Sequence, residues 1–328
     1  MNAITQSRFA WLLKREYWES RRGFLWAQIW AVAAILIITI LGIIAGEVFR
    51  ARFGGSENLH MGMNLSEMLR NGMSHNMVDV VKSLDMTMLL FGVVSAVVLF
   101  FVVFFYLLGA LYDDRKDRSI LFWKSLPLSD TSTVISKAVA AIIIAPLVAV
   151  VVVLAGYIGA QIVMSLWFLA HGLNPFGLLW AHTDPFSVWL HLLVMVPVNA
   201  VWALPTVGWL LFWSAAVRSK PFLWAVVIPI IAGVLNTWIG LLGLPHISAE
   251  FFWGDLVGRA LLSVIPGSWI APNSHQIGVH FMGSGDFGRI SYSSMAHAFA
   301  TPQMWIGAAV GIALIAAAIW FRRWRDEV

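Results

Sequence analysis

Six long stretches of this chain contain no Asp, Glu, Lys or Arg, and that spacing of charge constrains the fold more than any other feature. They run from about Phe24 to Gly46, Met86 to Tyr112, Ala138 to Leu169, Val188 to Val217, Phe222 to Leu244 and Gln303 to Phe321. A helix crossing about 30 Å of hydrocarbon needs roughly 20 apolar residues. One charge at its centre costs about 2.5–3.5 kcal/mol on insertion, so clean runs of this length predict six transmembrane helices. Composition agrees: 60% of residues are hydrophobic, 12% are charged, 18 are tryptophan, and the mean hydropathy is +0.81. No water-soluble globule of 328 residues hides so much apolar surface. The expected fold class is therefore an all-α integral membrane protein, with residues 1–328 as a single transmembrane domain. The absence of cysteine excludes a disulfide framework, thiol catalysis and any zinc or iron–sulfur site built on thiolates.

The basic residues fall mostly on one side. Numbering the loops alternately puts Arg8, Lys14, Arg15, Arg21, Arg22, Arg115, Lys116, Arg118, Lys124, Lys137, Arg218, Lys220, Arg322, Arg323 and Arg325 together, leaving Arg50, Arg52, Arg70, Lys82, Arg259 and Arg289 on the other side. The positive-inside rule then places both termini in the cytoplasm. This asymmetry accounts for the formal charge of +4, and no nucleic-acid partner is expected. Trp26, Trp123, Trp189, Trp224, Trp305, Trp320 and Trp324 sit near segment ends, as interfacial belts require, whereas Trp202 and Trp209 fall mid-span, where packing between helices is expected. The first span is longer than a secretory h-region and follows 23 residues of patterned sequence, so it is expected to be retained.

Several segments outside the hydrocarbon carry patterns of their own. Residues 1–23 include a stripe of Phe9, Leu12, Leu13, Glu16 and Tyr17, with Lys14, Arg15, Glu19 and Arg22 turned mostly away. The stretch reads as an interfacial amphipathic helix, the alternative being a basic flank that anchors the first span. Within the outer loop 47–85, Asn64 and Glu67 have capping-box spacing, and Leu65, Met68, Leu69, Met73, Met77, Val80, Val81 and Leu84 form one helical face. His60, Met61, Met63, Met68, Met73, His75 and Met77 are soft-metal ligand types, but methionines that belong to a packing stripe fill space, and packing is the preferred reading.

In region 245–302, Ser248 to Ile265 carries a second stripe, interrupted by Glu250, Asp255 and Arg259 and ended by Pro266-Gly267. A seventh span there would put Arg322, Arg323 and Arg325 outside, so a shallow or re-entrant outer helix is expected, followed by an irregular loop over 267–302. The cytoplasmic loop 113–137 mixes acids and bases with Ile120, Leu121, Phe122, Trp123 and Leu126, too apolar for a plain solvated turn.

Some chemistries are missing. The spans offer only His191 as an ionisable group, beside neutral Gln28, Gln161, Asn199 and Asn236, whereas a carrier driven by protons or sodium needs buried titratable groups along its path. No phosphate-binding loop of the Walker type occurs, so any use of ATP requires a partner. His182-Thr183-Asp184 and Gly283-Ser284-Gly285-Asp286 are the nearest approach to hydrolytic residues, and neither has a matching second element. No catalytic residue and no metal site is expected in this chain. Small-xxx-small pairs at Gly42 with Gly46, Gly156 with Ala160, and Gly307 with Gly311 permit close helix approach, within the chain or between chains. Pro146, Pro197, Pro205 and Pro229 interrupt spans three to five.

Taken together, these residues make the chain resemble a membrane subunit of the ABC-2 type of ATP-binding cassette transporter over nearly its whole length. The likeness rests on the amphipathic KREYWESRR segment leading into span one, six spans with both ends inside, and a long second span running into a charged loop. It also rests on Ser125-Leu126-Pro127-Leu128-Ser129 followed by Lys137, and on the outer helical segment before the last span.

The resemblance implies a connecting helix at the start and a coupling helix after span two that docks on a separate ATPase subunit, the expected contacts being Asp113, Asp114, Asp117, Arg118, Ile120, Leu121, Trp123 and Lys124. Where family members often show glutamate followed by Gly-Thr or Gly-Ser, this chain has Asp114, Asp117, Arg118 and Ser119. Two permease chains, identical or homologous, would stand in the bilayer of a bacterial cytoplasmic membrane beside two ATPase subunits holding ATP and Mg. A hydrophobic or amphipathic cargo would pass near Trp30, Phe91, Trp224 and Trp238. Two other classes of function stay open: an intramembrane hydrolase or transferase, and a non-transporting sensor or immunity protein.

Overall fold

The computed structural model describes residues 3–53, 75–117, 128–180, 185–270 and 292–325, and every regular element among them is helical. Helix α1 (Ala3–Arg21) runs through a widened π-helical stretch, Arg22–Ala27, into α2 (Gln28–Phe53). The amphipathic start and the first span are thus one helix, continuous over the 41 residues from Phe9 to Phe49. On α1, Leu12 and Glu16 are buried, Phe9, Leu13 and Tyr17 are half-buried, and Lys14 and Glu19 face out.

Helix α3 (His75–Ala110) likewise absorbs residues 75–84 into span two, where a separate outer helix was expected; residues 64–74 of that expectation lie outside the described residues. After a break at Leu111 comes the short α4 (Tyr112–Lys116). Helix α5 (Asp130–Val139) begins at Ser129, whose Oγ accepts the Ser132 N–H at 3.1 Å and caps the first turn. It continues through a π stretch, Ala140–Ile144, into α6 (Ala145–Ala170).

Span four is broken: α7 (Pro185–Trp202) and α8 (Leu204–Ala216) meet at Ala203 with a 53° bend. Pro205 cannot donate to the preceding turn and sits in the first turn of α8, where its missing N–H costs least. A π stretch, Leu223–Val227, opens α9 (Ile228–Leu241). Pro229 leaves the Ala225 carbonyl, four residues earlier, without its usual donor, and the Trp209 indole N–H of α8 supplies one at 2.9 Å.

The segment after span five forms a π stretch, Phe251–Gly258, followed by α10 (Arg259–Leu262). The region expected to be irregular contains α11 (Tyr292–Ala300), and α12 (Pro302–Arg325) ends the fold. Trp269, Met295, Ala298 and Met304 are buried together against Val198 and Trp202, a core that seats residues 268–270 and α11 on the bend of span four. Among the described residues five helices are long and apolar enough to cross a bilayer, six when the bent α7–α8 pair counts as one span. The chain is a multi-pass membrane protein.

Glycines set the closest contacts between spans. A Cβ on Gly208 of α8 would lie 2.4 Å from the Gly311 carbonyl oxygen of α12, and one on Gly311 would lie 2.4 Å from the Leu204 carbonyl oxygen. A Cβ on Gly156 would strike Val32 Cγ1 at 2.2 Å, so α6 is seated directly on α2. Two of the three small-residue pairs therefore serve contacts within the chain, whereas Gly42 and Gly46 meet nothing within 4 Å. The main core gathers Phe24, Val103, Leu107, Val134, Ala141, Val207, Leu211 and Ala318 from spans one, two, three, four and six, at the end of the bundle that holds both described chain ends.

Candidate functional site

An acid on the apolar stripe of an amphipathic helix has to find a cation or lose its charge. Glu16 is 1% exposed, and Lys137, near the end of α5, approaches its Oε2 at 3.5 Å. Lys137 is itself 4% exposed and lies 3.6 Å from Asp114 Oδ2 in α4. The same Asp114 oxygen takes NH1 of Arg322 at 3.3 Å, and Arg322 Nε reaches Asp130 Oδ1 at 3.1 Å. Arg15 adds a longer contact to Glu16 Oε1 at 3.7 Å and pairs with Glu19 at the rim, while the Tyr106 hydroxyl donates to Glu16 Oε2 at 2.8 Å.

Four carboxylates, with Glu19 at the rim, and three cations so form a network that joins the first helix, the end of span two, the start of span three and the end of span six. A second lock lies beside it. The Arg115 guanidinium donates to the carbonyls of Ser214 and Val217, the latter at 3.0 Å, and Ser214 Oγ accepts the Leu111 and Tyr112 N–H groups, each at 3.0 Å. Those N–H groups are the donors left over where the helix breaks between α3 and α4, so Ser214 satisfies the break and ties it to the end of span four.

The eight residues expected to dock on an ATPase divide at this point. Asp113 and Asp117 are exposed; Asp114 is turned inward and already shared between Lys137 and Arg322; Arg118, Ile120, Leu121, Trp123 and Lys124 lie outside the described residues. Asp113, in the short helix beyond the span, has its carboxyl raised above its ordinary value by partial burial and then by the neighbouring Asp117. Sequence reasoning placed Glu16 on the stripe and Lys137 at the foot of span three but did not bring them together, and it gave Asp130 and Arg322 no site role.

The four residues expected along a cargo path do not share one cavity. Phe91 is sealed in a core with Val32, Ile35, Val152 and Ala160. Trp30 and Trp238 are 70% and 65% exposed, and Trp224 stacks on Trp213 with ring centroids 5.8 Å apart. A shallow hollow of about 410 Å³ lies elsewhere, between Ser20, Phe24, Phe101, Phe105 and Tyr106. Several span polar groups find partners within the chain: Ser95 donates to Gln28 Oε1 at 2.7 Å, Gln161 bonds Tyr157, and Asn236 pairs with the Ile247 backbone, whereas Asn199 Oδ1 is buried without a donor among the described residues.

His182, Asp184, Ser284 and Asp286 lie outside the described residues, as do His60, Met61, Met63, Met68 and Met73. Among the described residues no three His, Asp or Glu side chains converge on a metal-sized site. Away from this network, the Trp167 indole N–H donates to Glu47 Oε1 at 2.8 Å and His171 Nε2 lies 3.2 Å from the same oxygen, joining the opposite ends of spans one and three. No family model, curated protein or solved structure matches this chain.

Proposed function

We propose that this chain is the membrane subunit of an ABC-2 type exporter, seated in the bacterial cytoplasmic membrane with both termini in the cytoplasm and powered by a separate ATPase subunit. One observation carries the reading: the charged loop after span two is anchored at both ends in a buried ionic network. Asp114 at its start and Asp130 and Lys137 at its close are tied to the first helix through Glu16 and to the last through Arg322. A displacement of that loop by a docked partner reaches spans one, two, three and six together, as a power stroke delivered from outside the membrane requires. The spans support the same reading by what they carry, since Gln28, Gln161 and Asn236 are neutral amides held by bonds within the chain, a poor relay for a coupling ion.

On this reading the working unit has two permease copies, or this chain with a homologous one, and two ATPase subunits that hold ATP and Mg. The cargo is hydrophobic or amphipathic, in keeping with the apolar, tryptophan-bearing outer surfaces of spans one and five. The test is co-expression with a candidate ABC ATPase subunit, co-purification, and reconstitution into liposomes. The expected result is a stable complex whose ATP turnover is stimulated by an amphipathic compound. Uphill accumulation driven by a pH gradient in liposomes holding this chain alone overturns the proposal. Substrate turnover by the isolated chain, abolished by His182→Ala or Asp184→Asn, would instead assign it to the hydrolases.

A further inference from the structure

Arg259 stands apart from every other basic residue described so far. Its guanidinium carbon sits over the Trp202 ring, 3.9 Å from the centroid, and NH1 donates to the Gln303 carbonyl. Its Nε and NH2 are withdrawn from solvent and have no acceptor. Among the described residues no carboxylate lies within ion-pair distance of it; the exposed Asp255, one turn earlier, acts on it through its charge alone.

The surroundings are built around this side chain. Its own carbonyl accepts two hydroxyl bonds, from Thr206 at 2.7 Å and Ser263 at 2.9 Å, which pin the backbone to the elbow of the bent span. Gly307 leaves the space that the guanidinium fills, since a Cβ there would lie 2.3 Å from NH2. Trp202, 2% exposed, forms the plate beneath.

A cation withdrawn from water with two donors unmet is costly, and a stacked aromatic ring offsets only part of that cost. The missing element is an anion with two acceptor oxygens, because a guanidinium stacked on a ring keeps its planar edge free to engage such a pair. Depth selects the anion. Gln303 is the second residue of α12, so the guanidinium lies level with the end of the last span, beside the exposed interfacial Trp305. That is the level of phospholipid headgroups.

We propose that Arg259, backed by Trp202 and Gly307, is a binding site for a phosphate group, supplied by an anionic phospholipid headgroup or by free phosphate. Binding moves the side chain from its packed position against Gly307, so that Nε and NH2 reach two phosphate oxygens. The site goes beyond the transport reading and does not depend on an ATPase.

The full chain in detergent micelles is titrated with dihexanoyl phosphatidylglycerol, dihexanoylglycerol or inorganic phosphate, following Tm. A saturable rise with phosphatidylglycerol but not with dihexanoylglycerol is expected, and a matching rise with inorganic phosphate assigns the site to the free anion. Arg259→Gln weakens the apparent affinity about tenfold or more, the loss expected for a charge-assisted bond pair. Arg259→Lys, which keeps the charge but not the fork, also binds more weakly than the native chain and carries the test alone if Arg259→Gln does not fold. Arg323→Gln, exposed at the other end of α12, changes nothing. No saturable rise with either phosphate compound, or a native-like rise in Arg259→Lys or Arg259→Gln, overturns the proposal.

Discussion

Lys137 Nζ lies 3.5 Å from Glu16 Oε2, joining two side chains almost wholly withdrawn from solvent and 121 positions apart in the chain. Lys137→Met leaves Glu16 with the longer Arg15 contact and the Tyr106 hydroxyl as partners for a buried charge, and deprives Asp114 of one of its cations. Removing one partner from a buried pair costs about 3–5 kcal/mol. A fall in Tm in detergent is therefore expected, with the fold disturbed first where α1 meets α5. Pairing that substitution with Glu16→Gln should cost clearly less than the two single losses added together, because that buried charge is gone. Strict additivity would show that the two side chains do not act as a pair.

The glycines divide by what they face. Gly311→Ala in α12 drives a methyl group into the Leu204 carbonyl, and Gly208→Ala meets the Gly311 carbonyl in the same way. Backbone on both sides cannot give as a flexible side chain can, so each should cost about 1–3 kcal/mol or more. Gly42→Ala, with nothing within 4 Å, should leave the isolated chain as stable or stabilise it by up to about 1 kcal/mol through helix propensity. Thermal unfolding of the three variants side by side checks the ordering.

The helices were legible in the sequence because hydrocarbon imposes one rule on every residue of a span, and charge-free runs report it directly. Helix continuity was less so. Nothing in the run from Arg21 to Gly23 distinguishes a hinge between an interfacial helix and a span from the π-widened but unbroken turn that joins them. The elbow at Ala203 had a signal in Pro205, but a proline in a span marks either a bend or a break, and the choice depends on what packs beneath. Here that is Arg259, anchored to Thr206 from 53 residues away. The ionic network had one local sign, Glu16 on an apolar stripe. Its partners, scattered from Tyr106 to Arg322, are brought together by tertiary packing alone.

Trp209 and Pro229 test how a broken helical hydrogen bond is made good within the membrane. Trp209→Phe removes the indole donor to the Ala225 carbonyl and should cost about 1 kcal/mol, with some loss of packing besides. Pro229→Ala restores a backbone N–H able to reach that carbonyl. In the Pro229→Ala background the Trp209→Phe penalty should shrink, and a double-mutant cycle on Tm reads the coupling. Equal penalties in both backgrounds would mean that the indole contributes packing only.

Asp114 and Asp117 are three residues apart and face different tasks. Asp114 holds Lys137 and Arg322 within the protein, so Asp114→Lys sets three cations against one another in a half-buried site and should lower Tm steeply, whatever else is present. Asp117 is exposed, and among the described residues its carboxylate acts only on that of Asp113, which it raises. Asp117→Lys should therefore leave Tm within about 0.5 kcal/mol of the native value, as expected for a surface change. On the proposed reading it should also weaken co-purification of the ATPase and the cargo-stimulated part of its turnover. The comparison separates two failures that a loop mutation otherwise confuses, loss of the fold and loss of the partner. If Asp117→Lys unfolds the chain, the acid has a structural task that its exposure does not reveal. If it retains both the fold and the full ATPase complex, the docking contacts lie elsewhere in the 113–137 loop, beyond the part anchored by Asp114.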